Sequence, residues 1–208
     1  MKLCSYVVAR DFGFAPNPFF GFCTLATCKE GMRKGISVGD WVVGVGAKKR
    51  YGLNGHIVYV MNISEIISFE EYWNDPRFQQ KKPNLRGSLK QAFGDNIYHH
   101  DSETGAWIQE DSHHTHKGGK PMLKNLEKDT SAPRVLVSNE YWYWGGNGPE
   151  VPEIFRRPGN DICLSGQGYK CNYPETFITD FIKWIKSLDG SGYLGDPAEF
   201  SIMTEEGV

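Results

Sequence analysis

SVGDWVVGVGAKKRYGLNGHIVYVMNIS, residues 37–64, decides the fold class. Gly39-Asp40 is a turn, and Trp41 to Val45 is an apolar run short enough to be a strand. YGLNG is a second turn. HIVYVMNI then places Ile57, Tyr59, Met61 and Ile63 on one face and Val58 and Val60 on the other. Both faces are apolar, so this strand is predicted to lie inside a sheet. Strand follows strand here without an intervening helix, which argues against a doubly wound fold.

The same pattern extends outward. Leu3 to Ala9 is a short buried strand, and Arg134 to Trp144 (RVLVSNEYWYW) reads as one long strand, β-branched and then aromatic. Ser68-Phe69-Glu70-Glu71 is a capping box that opens a short helix stopped before Pro76. Phe177, Ile178, Phe181, Ile182, Ile185 and Leu188 form one helical stripe, with Pro174 in its first turn and Gly190 as its C-terminal cap. Between Phe12 and Phe22 the chain is aromatic, and Pro16 and Pro18 bar regular structure. The expectation is α+β: a single domain over residues 1–208 with a polar insert at about 84–120 and long functional loops.

Composition narrows the function classes. The hydrophobic fraction of 39% supports a real core, and the formal net charge of −2 argues against a general grip on duplex nucleic acid. The basic clusters Lys48-Lys49-Arg50, Lys81-Lys82 and Arg156-Arg157 read mainly as solvated surface. The start, MKLCSYVVARDF, turns polar at Arg10 and lacks the apolar core of a signal peptide. Five cysteines without CxxC spacing then read as inert, reduced thiols in the cytoplasm. Neither G-x-G-x-x-G nor G-x-x-x-x-G-K-[ST] occurs, and the sequence leaves the cofactor unassigned.

Chemistry concentrates in DNIYHHDSETGAWIQEDSHHTH, residues 95–116, which holds five of the six histidines. Asn96 to Asp101 and Ala106 to Glu110 are predicted to pair as a hairpin across SETG. Alternation then puts Tyr98, His100, Trp107 and Gln109 on one face and Ile97, His99 and Ile108 on the other. Three readings compete. A metal set could place His114 and His116 on one face of an extended segment with Asp101 or Asp111, but it is disfavoured: adjacent His99 and His100 face opposite ways, no H-E-x-x-H occurs, and Gly118-Gly119 marks the second cluster as a mobile loop. An acid/base pair would take His99 or His100 with Asp95 or Asp101, assisted by Asp11 or Glu110. A polar rim would read a ligand edge through Asn17, Asp95, Asn96, His100 or Gln109 while Trp107, Trp142 or Tyr143 stacks on its face. Arg10, Arg86 and Lys170 are candidate phosphate contacts, with Ser88 beside Arg86. Ser165-Gly166-Gln167-Gly168 is a second turn open enough to cradle an anion.

SYVVARDFGFAPNPFFGFCTLATCK, VGDWVVGVGAKKRYGLNGHIVYVM, EYWNDPRFQQKKPNLRGSLKQAFGDNIYHH and WIQEDSHH together resemble the nucleotide-modification-associated domain family of the second type. The resemblance runs from Leu3 to the C-terminal helix and implies work on nucleotides or modified DNA bases. A fainter likeness, carried by Val38-Gly39-Asp40-Trp41 and the strand after it, is to PUA-like barrels of the EVE and ASCH groups. It implies a small mixed β-barrel with peripheral helices and a pocket for an extruded base. The expected partner is therefore a nucleotide or extruded base, with no membrane. The alternatives are an enzyme acting on a modified nucleotide and a protein-interaction module of phage defence. The last would expose Phe12 to Phe22 as a patch.

Overall fold

The computed structural model describes residues 1–47, 52–164, 166 and 168–205. The basic stretch Lys48–Arg50 and positions 165 and 167 of the Gly-rich turn lie outside the described residues. The fold is α+β, and the chain forms two compact units interleaved in sequence.

The first unit takes residues 1–12, 36–64 and 138–208. Its strands are β1 (Leu3–Val8), β3 (Trp41–Gly46), β4 (Ile57–Asn62), β9 (Glu140–Tyr143), β10 (Tyr169–Lys170) and β11 (Gly192–Tyr193). They form one mixed sheet in the order β10-β1-β3-β4-β9-β11. β4 lies between β3 and β9, antiparallel to both, as its two apolar faces require. Gly44 of β3 has no side chain because a Cβ there would collide with the Tyr59 ring and Val8. Helix α5 (Glu175–Ser187) buries Ile178, Phe181 and Ile185 in a core with Leu3, Val43, Val60 and Trp142. Helix α6 (Ala198–Glu205) completes the unit.

The second unit takes residues 13–35 and 65–137. It holds β2 (Cys23–Leu25), α1 (Glu30–Gly35), β5 (Glu65–Ile67), α2 (Phe69–Asn74), a 3-10 turn over Pro76–Lys81, α3 (Leu89–Ala92), β6 (Tyr98–His100), β7 (Trp107–Gln109), α4 (Leu123–Thr130) and all but the last residue of β8 (Val135–Ser138). A three-stranded sheet runs β2-β8-β5, and β6 pairs with β7 alone. The predicted capping box opens α2: Ser68 Oγ accepts from Glu71 N, and Ser68 N donates to the Glu71 carboxylate.

Four expectations are corrected. The described strands do not close into a PUA-like barrel; the larger sheet runs from β10 to β11 as an open order. RVLVSNEYWYW is two strands in two sheets, because Ser138 Oγ bonds both the N–H and the carbonyl of Glu140, turning the chain between them. α5 ends at Leu188, whose N–H donates to Ile185 O, so Gly190 lies beyond the cap. Cys4 and Cys171 are joined by a disulfide rather than reduced, while Cys23, Cys28 and Cys163 are free. Among the described residues no helix is long and apolar enough to cross a membrane.

Candidate functional site

The predicted hairpin forms in the predicted register, Tyr98 opposite Gln109, His99 opposite Ile108 and His100 opposite Trp107. Asp101 holds its turn: one carboxylate oxygen accepts from Glu103 N, Thr104 N and Thr104 Oγ1. Those bonds lower its pKa, the Thr104 N–H contributing most. Asp101 therefore belongs to the turn, and no His–Asp pair forms along the hairpin. His99 Nε2 meets Glu110 at 2.9 Å, and His100 Nδ1 meets Glu70 Oε1 at 2.6 Å.

Aromatic rings flank the hairpin. His99 stacks on Trp73 at 3.8 Å and 11°, and Lys82 Nζ sits 3.6 Å over the same indole. On the other face the His100 ring lies 3.8 Å from that of Trp107. Phe69 meets Tyr98 and Trp107 edge-on. His100 and Trp107 are both partly exposed.

Most of the other proposed readers are bonded to partners within the chain. Asn17, Asp95 and Asn96 are fully buried. Lys81 Nζ, also buried, donates to Asn17 Oδ1 at 2.6 Å and to the carbonyls of Asn17 and Phe22. Asp95 accepts from Tyr72 Oη and Thr24 Oγ1, and Asn96 Nδ2 donates to Tyr72 O. Gln109 bridges the Tyr98 hydroxyl, His114 O and Met122 N. In the first unit Trp142 stacks on Trp41 and donates to Gly190 O, while Tyr143 donates to buried Asp11. Arg10 pairs with Glu199 and covers Phe12. Lys170 bonds Gly159 O. Ser88 caps α3, and Arg86 is exposed. Phe12, Phe14 and Phe19 are buried and Phe20 and Phe22 partly so, which opposes the exposed patch of an interaction module.

A different constellation emerges in the second unit. His114 Nδ1 lies 2.8 Å from Asp129 Oδ2, and His114 Nε2 lies 3.7 Å from Cys28 Sγ. Asp129 is buried and further fixed by Tyr98 Oη at 2.9 Å and by Cys28 N at 2.8 Å. Arg33, fully buried on α1, binds four carbonyls: Cys28 O through Nε, Ala132 O and Arg134 O through Nη1, and Asp129 O through Nη2. Cys28 and Lys29 both take left-handed backbone, with φ of 59° and 47°. Such conformations cost about 1–3 kcal/mol each in non-glycine residues and collect at functional sites. The sequence alone places Cys28 among inert thiols and His114 in a mobile loop. The three residues share no local motif, and only an unpaired thiol in a His-rich chain signals them.

A cavity of about 210 Å³ in the first unit is lined by Phe155, Arg157, Asn160, Thr176, Phe177 and Asp180. Ligand pockets usually span roughly 300–1,000 Å³. It carries no nucleophile–base pair.

The pKa of His114 is raised from 6.5 to about 9. Burial alone would lower it, but the bonds to the Asp129 carboxylate and the Cys28 sulfur outweigh burial. A folded value above the unfolded one stabilises the fold fully below about pH 6.5 and is lost as pH rises through about 9. Lys81 opposes this higher up: burial lowers it from 10.5 to about 8, a penalty relieved as pH climbs from about 8 to 10.5. Urea titrations between pH 6 and 8 isolate His114. Stability is expected to fall across that window by an amount on the order of 1–2 kcal/mol, and the slope should vanish in His114→Gln.

Fold and site together define an α+β protein whose second unit joins a thiol–imidazole–carboxylate set to an aromatic hairpin. The chain belongs to the family described as nucleotide modification associated domain 2, whose model matches residues 1–204. No curated protein and no solved structure matches it.

Proposed function

We propose that the second unit binds a nucleotide or modified nucleic-acid base on the His100–Trp107 face of its hairpin. The observation that carries this reading is the paired, partly exposed His100 and Trp107 rings, with the Glu70 carboxylate fixed against His100. An indole held by edge contacts from Phe69 offers a rigid stacking surface, and imidazole and carboxylate supply groups for a base edge. The family's description supports a link to nucleotide modification; the nucleotide ligand and a DNA-modification or phage-defence setting are part of the proposal. No PUA-like barrel is required, since the hairpin itself supplies the stack. The reading implies a cytoplasmic protein, where nucleotides are handled; the Cys4–Cys171 bridge weighs against that compartment.

A thermal-shift screen of nucleosides, nucleotides and modified bases tests the proposal, because a ligand bound only to the native state raises the melting temperature. Base–aromatic stacking contributes about 1–3 kcal/mol, so Trp107→Ala should weaken binding roughly 5- to 150-fold with the fold retained. No shift with any compound, or a shift untouched by Trp107→Ala, would count against it.

A further inference from the structure

The geometry points to a covalent thiol site: we propose that Cys28 is a nucleophile, His114 its general base and Asp129 the positioning residue, acting on the carbonyl carbon of an amide or ester. This goes beyond base binding and does not rest on it.

Nucleophilic catalysis by a thiol needs three things: a base within reach of the sulfur, a group that fixes the base, and access. His114 Nε2 faces Sγ at 3.7 Å, a separation in keeping with the long contacts that catalytic pairs often show without substrate. With Asp129 on Nδ1, the ring is held so that Nε2 is the nitrogen turned to the sulfur. Asp129 is itself locked by Tyr98 and by the N–H of Cys28, so nucleophile and positioning residue are tied directly to each other. Cys28 is partly exposed, whereas Cys23 and Cys163 are buried. Two consecutive left-handed residues, 28 and 29, with the Cys28 carbonyl clamped by Arg33, present the thiol on a sharp turn before α1. A purely structural cysteine needs none of this.

The chemistry balances without a cofactor. With His114 raised to about 9, the neutral imidazole is a minor form at pH 7 and the major one above about pH 9; in that form it takes the thiol proton at Nε2, and the sulfur attacks the carbonyl carbon to form an S–C bond. The C–N or C–O bond then breaks as the imidazolium returns the proton to the departing nitrogen or oxygen. Water loses a proton to His114 and attacks the thioester carbon. The C–S bond breaks, releasing a carboxylic acid and restoring the thiol.

The test uses p-nitrophenyl acetate on the full chain, an acid quench and mass mapping of the cysteine peptides. An acetyl group is expected on Cys28 and not on Cys23 or Cys163. Labelling should be about tenfold or more faster than in His114→Gln, since general-base assistance is typically worth at least that. Circular dichroism checks that the variant is folded. Should it not be, wild-type protein unfolded in urea replaces it, and native Cys28 must exceed unfolded Cys28 by the same factor. Native labelling no faster than either reference overturns the proposal. Because the ester carries no nucleotide, this result is separable from the fate of base binding.

Discussion

Arg33→Met is expected to cost about 3–5 kcal/mol, as removal of one member of a buried charged network does. The methionine keeps most of the stem's packing but leaves four carbonyls, those of Cys28, Asp129, Ala132 and Arg134, without their donor. Each orphaned buried carbonyl costs about 1–3 kcal/mol unless water reaches it. The guanidinium also offsets the Asp129 charge, which its loss would leave to His114, Tyr98 Oη and Cys28 N. Arg33→Lys should rescue little, because an ammonium cannot reproduce a planar fork spread over four acceptors. With a urea slope of about 2–3 kcal/mol/M, the midpoint should drop by about 1–2 M. A loss under about 1 kcal/mol would mean that the clamp contributes geometry but little stability.

Loss of the Cys4–Cys171 bridge is the second large effect. The two cysteines are separated by 167 positions, so the bridge closes a long loop in the unfolded chain. Chain-entropy reasoning assigns such a loop about 4–5 kcal/mol, and removal of native disulfides typically costs about 2–5 kcal/mol. Cys4→Ser is therefore expected to destabilise by about 3–5 kcal/mol, and the double change with Cys171→Ser by no more than the single one. Thiol counting after unfolding without reductant should find three reactive cysteines, Cys23, Cys28 and Cys163. Five reactive thiols would remove the bridge and favour the reducing cytoplasm of the sequence reading.

Local rules carried the sequence far. The hairpin was legible to the residue because a period of two and a four-residue turn leave one sensible register. β4 was legible as central from its two apolar faces, and α2 from its capping box. What escaped depends on distance along the chain or on a side chain competing with the backbone. Ser138 divides an apparent continuous strand through bonds that propensity does not foresee. The disulfide joins residues far apart, and cysteine spacing alone cannot pair them. The polar residues of the 84–120 segment look like ligand readers by composition, yet Asp95, Asn96 and Gln109 satisfy buried groups. Cys28 and His114 lie 86 positions apart, beyond any motif.

The Arg33 clamp also sets an order of events. Arg33 and Cys28 are synthesised early, whereas the carbonyls that complete the clamp, on Ala132 and Arg134, come 99 and 101 residues later. Contacts of such separation form late, once the intervening loop has closed. A nascent or truncated chain thus carries Cys28 as an ordinary thiol without its imidazole or its left-handed turn. Any reactivity arises only with the finished fold, so the growing chain is spared stray acylation and mispairing with its other four cysteines.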